Sequence, residues 1–254
     1  MMALIQTSHQ AFWLVFVVFV RVGAAMAVMP AFGERSVPMR VRLVLSLAMA
    51  VVVAPAVYAS VSAPAPSLGA LILILMTETI AGLALGIGMR LIVLALQTAG
   101  AIAAQSTSLS QLTGNSAMDP MPAIGQVLTV AALALLMMTG LHVKAAALFI
   151  LSYDALPMGS FPDAAVLADW GRLHVNQAFR LAFTLAGPFV IMSVLYNLTL
   201  GVINKAMPQL MVAFVGAPVI TLGAIALLFT IAPILLRVWN HAMDAYLLNP
   251  FGML

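Results

Sequence analysis

The sequence predicts an all-α, polytopic membrane protein, and three observations carry that prediction. Apolar stretches of about 20 residues, the length a helix needs to cross ~30 Å of hydrocarbon, recur six times along the 254 residues. Charged residues make up 7% of the chain against 64% hydrophobic, with mean hydropathy +1.16. A soluble domain carries roughly a quarter charged residues and could not cover a water-facing surface with so few. The apolar runs are also continuous over many turns, unlike the alternation over about ten residues that marks an outer-membrane barrel strand.

Taken in order, the first segment covers 11–32 and is interrupted by Arg21. Its opening, Met1-Met2-Ala3-Leu4, lacks the positive n-region of a cleavable signal peptide, so it reads as a retained helix. The second covers 43–59 and the third 68–99, with Pro55, Pro64 and Pro66 among serines marking an uncharged turn between them. A polar stretch of low charge follows at about 105–122, containing Asp119-Pro120 and Pro122. The fourth segment covers 124–151. Beyond it lies the most water-facing loop, 154–172, with Asp154, Asp163 and Asp169. The fifth and sixth cover 178–203 and 210–238; Gly187-Pro188, Gly216-Ala217-Pro218 and Pro233 inside them predict kinks or short breaks. No internal repeat divides the chain, so a single domain over 1–254 is expected. Arg35, Arg40 and Arg42 in the first loop and Lys205 in the last place those loops in the cytoplasm, with the N-terminus and the acidic loop outside.

Several function classes are excluded. The net charge of +3 is spread thinly and forms no basic stripe for nucleic acid. There is no cysteine for a disulfide, a thiol nucleophile or a Cys-based zinc site. His9, His142, His174 and His241 form no HExxH pattern, and no GxSxG elbow, P-loop or dinucleotide fingerprint is present. The chain is therefore expected to be no enzyme, with no catalytic residue, cofactor or metal site. Most of the 18 methionines read as ordinary packing residues; Met118 and Met121, flanking Asp119-Pro120, fit a deformable constriction.

The charges inside apolar segments need partners. Arg21 either lines a polar pathway or forms a structural ion pair against another helix or subunit, and the second reading is preferred. Glu78 and Arg90 lie about 18 Å apart along one helix at 1.5 Å per residue and cannot pair with each other. With so few other charges available, partners in other subunits are expected for them. Small residues at Gly82 and Gly86 predict close approach of a neighbouring backbone.

Three blocks together resemble the FliR family and its counterparts in virulence type III secretion, the SctT family. The first joins Arg21 to Pro30-Ala31-Phe32-Gly33-Glu34-Arg35-Ser36-Val37-Pro38-Met39-Arg40-Val41-Arg42. The second joins Glu78, Gly82, Gly86 and Arg90 to Gln97-Thr98-Ala99-Gly100. The third is Asn204-Lys205-Ala206-Met207-Pro208-Gln209-Leu210 followed by Gly216-Ala217-Pro218. They occur in family order across essentially the whole chain. Departures are Ala101 where the family often has Glu, Gln105-Ser106-Thr107-Ser108 in place of a glycine-bearing motif, and Met211 where a small polar residue is common.

The resemblance implies a subunit of the flagellar type III export gate in the bacterial inner membrane, at the flagellar basal body. Its kinked helices would pack as hairpins with FliP-like and FliQ-like subunits, beside FlhB-like and FlhA-like components and membrane lipid, and pass unfolded flagellar proteins. By position it implies a plug loop made of Ser106, Thr107, Ser108, Gln111, Asn115, Met118, Asp119, Pro120 and Met121. Assembly contacts would come from Arg21, Glu34, Arg35, Pro38, Arg40, Glu78, Gly82, Gly86, Arg90, Lys205, Pro208 and Gln209. A virulence export gate is the nearest alternative. An independent secondary transporter built around Arg21, Glu78 and Arg90, or a purely structural membrane anchor, is more distant.

Overall fold

The computed structural model describes residues 2–58, 67–107, 123–207 and 212–251, and among these there is no strand. The helices are α1 (Met2–Val28), α2 (Met39–Val57), α3 (Leu68–Thr107), α4 (Ala123–Met138), α5 (Leu141–Ala155), α6 (Ala164–Ala206) and α7 (Val212–Leu248). Five of them are long and apolar enough to cross a membrane, or six if α4 and α5 form one bent span. The predicted fold class is thus the observed one.

Helix ends follow backbone chemistry more closely than hydropathy. α1 stops at Val28, before the expected 32, because Pro30 has no N–H to donate and disfavours helical geometry in the residue before it. Ala31 then turns the chain with φ 67°. α2 begins directly after Pro38 and takes in Arg40 and Arg42, charged residues that the hydropathy boundary at 43 left outside. α3 runs on through Gly100 to Thr107, since uncharged polar residues do not break a helix.

Two expectations are corrected. The segment 124–151 is not one straight helix: it is broken at Gly140, whose φ of 80° suits a residue without a Cβ, and its halves meet at 73°. The stretch 154–172 is not all loop, because Ala164 to Arg172 form the first turns of α6. Asp163 starts that helix by accepting hydrogen bonds from the N–H groups of Ala165 and Val166 at 2.8 and 3.2 Å. The helices also run through Pro188, Pro218 and Pro233 without a break. A proline removes one backbone bond, and apolar surroundings give the remaining ones no competitor in water.

By contact density the chain divides into two compact units. One comprises Met1–Leu91, Leu135–Val175 and Ala242–Leu254; the other comprises Ile92–Ala134 and Asn176–His241. In the first, α1 packs on α2 and α2 on α5. Val17, Val22, Met26, Leu85 and Phe149 are fully enclosed there. In the second, Val93, Leu96, Ala132 and Phe189 form the interior, and the buried Trp239 indole donates to Ile92 O at 2.8 Å.

Candidate functional site

The most polar point in the interior lies in the first unit, where α1, α3 and α5 meet. Arg21 and Glu78 are 1% and 0% exposed. Arg21 Nε donates to Glu78 Oε2 at 2.7 Å and Nη2 to Oε1 at 3.2 Å, giving a two-pronged pair. Nη1 donates to Ser152 Oγ at 3.0 Å and Nη2 also to Leu156 O at 2.8 Å. The guanidinium lies 3.7 Å from the centroid of the Tyr153 ring, a cation–π contact.

Each element supplies what the pair needs for a local reason. Gly82 and Gly86 on α3 let α1 come close. A Cβ on Gly82 would collide with Arg21 O, and one on Gly86 would lie 2.6 Å from Ala25 O. α5 ends at Ala155, so its last carbonyls lack helical partners, and Leu156 O accepts from Arg21 instead. In the turn that follows, Gly159 adopts φ 71° and its N–H donates to Glu78 Oε1 at 3.1 Å. Ser152 Oγ itself donates a hydrogen bond to Phe149 O at 2.7 Å. Both charges therefore find hydrogen bonds as well as each other, the condition under which a buried ion pair is tolerated. Tyr153 Oη is buried and makes no hydrogen bond among the described residues, so this side chain acts through its ring. The gripped turn forms one wall of an open cavity of about 270 Å³, lined by Leu156, Pro157, Phe161, Trp170 and Phe251 among others.

Arg90 has its own partner in the chain. It pairs with Glu34, which sits in the turn between α1 and α2. Arg42 organises the same turn by donating to Phe32 O at 3.2 Å and Glu34 O at 3.1 Å. The expectation that Glu78 and Arg90 take their partners from other subunits is thus corrected, while Arg21 forms the structural ion pair against another helix that was preferred for it: each is matched within the chain, because folding brings α1 and its following turn against α3. The close neighbour of Gly82 and Gly86 is likewise α1 of the same chain. Arg35, Pro38, Arg40 and Lys205 are exposed, and Pro208 and Gln209 lie outside the described residues.

Of the plug residues, Ser106 stands in the last turn of α3 and not in a loop. Its Oγ donates to Ala103 O, and its carbonyl accepts from Ser193 Oγ at 2.5 Å. Thr107 ends that helix, whereas Ser108, Gln111, Asn115, Met118, Asp119, Pro120 and Met121 lie outside the described residues. The two helices flanking this stretch touch backbone to backbone: a Cβ on Gly100 of α3 would fall 2.7 Å from Gly125 N of α4. Sequence reasoning missed Gly125, Ser152, Tyr153, Gly159 and the Lys144–Asp244 pair at 2.7 Å. Lys144 inside an apolar run was the one visible signal among them. Among the described residues no cluster of His, Cys, Asp or Glu could hold a metal ion.

Long apolar helices with a satisfied ion pair buried among them define a polytopic helical membrane protein. The chain matches the family described as bacterial export proteins, family 1, over residues 12–246, and it belongs to that family. It is 32% identical over 228 residues to the flagellar biosynthetic protein FliR of Caulobacter vibrioides, covering 88% of this chain and 90% of that one. The FliR of Escherichia coli K12 is 30% identical over 156 residues, 58% of this chain and 57% of its own. That of Aquifex aeolicus is 31% identical over 96 residues, 37% of each. The resemblance read from the three sequence blocks therefore holds, and the chain is a membrane subunit of a flagellar export apparatus.

Proposed function

We propose that this subunit forms part of the channel through which unfolded flagellar proteins cross the bacterial inner membrane, and that it does so without catalysis. The observation that carries the reading is the extent of the relationship to FliR, nearly end to end in both chains. FliP-like and FliQ-like subunits would complete the gate, with FlhB-like and FlhA-like components beside it. Within it, the Arg21–Glu78 cluster holds α1, α3 and the turn after α5 in a fixed arrangement and leaves no charge free to trap a passing chain.

The plug role falls to the stretch after α3, 108–121, whose flanking helices are held together at Gly100 and Gly125. Serine, threonine, glutamine and asparagine suit it, because they bond to neighbours when the pore is closed and carry no charge when a polypeptide displaces them. Deleting 107–115 should leave the complex assembled and increase ion leakage through it, measured as conductance in membranes containing the intact apparatus. Unchanged conductance in an assembled deletion variant would remove the plug role. Failure of the wild-type chain to co-purify with other export subunits would remove the channel reading itself.

A further inference from the structure

The turn between α1 and α2 holds more positive charge than its own contacts use. Glu34 is matched by Arg90. The Arg42 guanidinium is occupied by backbone carbonyls, donating to Phe32 O, Glu34 O and Val37 O. Arg35 and Arg40 are exposed, and neither has an ion pair or hydrogen bond among the described residues. Because Glu34 O lies 3.1 Å from Arg42 Nη2, the next residue, Arg35, is held beside the first turns of α2. Four arginines (35, 40, 42 and 90) against Glu34 leave +3 here, as much as the formal net charge of the whole chain.

An exposed apolar face starts where these cations end. Arg40, Leu43, Val44, Leu47 and Val51 follow the i, i+3, i+4, i+7, i+11 spacing that puts residues on one side of a helix. The four apolar residues among them are 48–62% exposed. The other side of α2, with Ser46, Ala50, Val53, Ala54 and Val57, is buried where the helix packs on α1 and α5. At the far end Tyr58, 54% exposed, lines an open apolar crevice of about 290 Å³ with Pro55 and with Ala11 and Val15, which bracket Trp13.

We propose that the outer side of α2 is covered by phospholipid and that Arg35 and Arg40 bind an anionic headgroup. The 19 residues of α2 span ~28 Å at 1.5 Å per residue, close to the ~30 Å of a hydrocarbon core. By contrast α3, α6 and α7, at 40, 43 and 37 residues, are longer than a bilayer requires. Arginine at one end and tyrosine with tryptophan at the other are the residues that anchor a helix between two lipid–water interfaces. α2 also contains no glycine, whereas α3 uses Gly82 and Gly86 where another helix comes close. Bulky, branched side chains leave an uneven surface, and fluid acyl tails mould to it. A guanidinium forms two-pronged hydrogen bonds with phosphate, so a phosphate diester carrying no compensating cation is the complementary headgroup. Arg35 and Arg40 thereby take a lipid in place of the assembly contact expected of them. The inference rests on the membrane character of the chain and not on the channel role.

Photo-labelling by lipid tests it. The full chain, with whatever export subunits co-purify, is placed in phosphatidylcholine vesicles containing a phosphatidylglycerol whose acyl tail carries a photo-activated group. Adducts are expected on the 43–52 stretch of α2, and the matching phosphatidylcholine probe should label it about fivefold less. Arg35→Gln with Arg40→Gln should lower the phosphatidylglycerol adducts per chain about tenfold and leave the phosphatidylcholine adducts unchanged, whereas the paired Lys substitutions keep both within about twofold. Should the double substitution reduce the amount of chain, Arg40→Gln alone provides the comparison, with about a fivefold loss expected. Equal labelling by the two lipids, or labelling indifferent to these substitutions, overturns the headgroup site. Absence of lipid adducts on α2, with a cross-linking residue at Leu47 capturing protein instead, overturns the proposal entirely. Loss of the channel reading would leave this test and its outcome in place.

Discussion

The charge cluster on α1 and α3 and the hairpin of α6 and α7 place basic residues in apolar helices under opposite conditions. Around α1 and α3, Arg21 and Arg90 each meet a carboxylate of the same chain, and Gly82, Gly86 and Gly88 each sit against a neighbouring element. Along α6 and α7, Arg180, Lys205 and Arg237 have no ion pair among the described residues, and a Cβ on Gly187 or Gly201 would meet none of those residues within 4 Å. Burial differs in the same direction: 44% of the most apolar window of α3 is buried within the chain, against 11% for α7. Both regions are strongly apolar, so apolar character alone does not decide which charges a chain satisfies by itself. What decides is whether folding delivers an acid on an adjacent element, as the turn after α1 delivers Glu34 to Arg90.

The largest effect should come from breaking the enclosed cluster on one side. Arg21→Leu leaves Glu78 buried and unpaired, and we expect a loss of about 3–5 kcal/mol. Adding Glu78→Leu should recover most of that loss, since an apolar pair of similar volume needs no partner. Unfolding by a denaturing detergent in mixed micelles measures both, and additive losses would break the contrast with α6. Next in size, Gly82→Ala should cost about 1–3 kcal/mol by the same measurement, because the new methyl meets a backbone carbonyl. Gly201→Ala, with nothing within 4 Å, should instead stabilise the isolated chain by up to ~1 kcal/mol.

Smaller effects sharpen the picture. Tyr153→Leu should cost about 2 kcal/mol by removing the ring beneath Arg21, while Tyr153→Phe stays within ~0.5 kcal/mol because the hydroxyl makes no bond among the described residues. Glu34→Gln, at a pair only partly buried, should cost about 0–1 kcal/mol. The exposed Asp169–Arg172 pair should matter least: Arg172→Ala is expected to shift unfolding by no more than ~0.5 kcal/mol.

Much of the fold was legible because crossing an apolar medium restricts the backbone to very few forms. Helix ends were read less well where proline, not hydropathy, set them, as at Pro30 and Pro38. The break at Gly140 was invisible because apolar residues continue on both sides of it. At the candidate site, Arg21 and Glu78 stood out as charges in apolar runs, but their pairing did not, since 57 residues separate them. Ser152, Tyr153 and Gly159 carry no signal of their own; they act only because α5 ends beside the pair.

By itself the sequence determined that this chain is helical, apolar and a member of the FliR family, because those properties follow from local composition and from blocks read in order. Only the tertiary structure decided which charges are answered within the chain. An ion pair forms between side chains a few ångströms apart, and that distance belongs to the packing of α1, α3 and α5 rather than to spacing along the polypeptide.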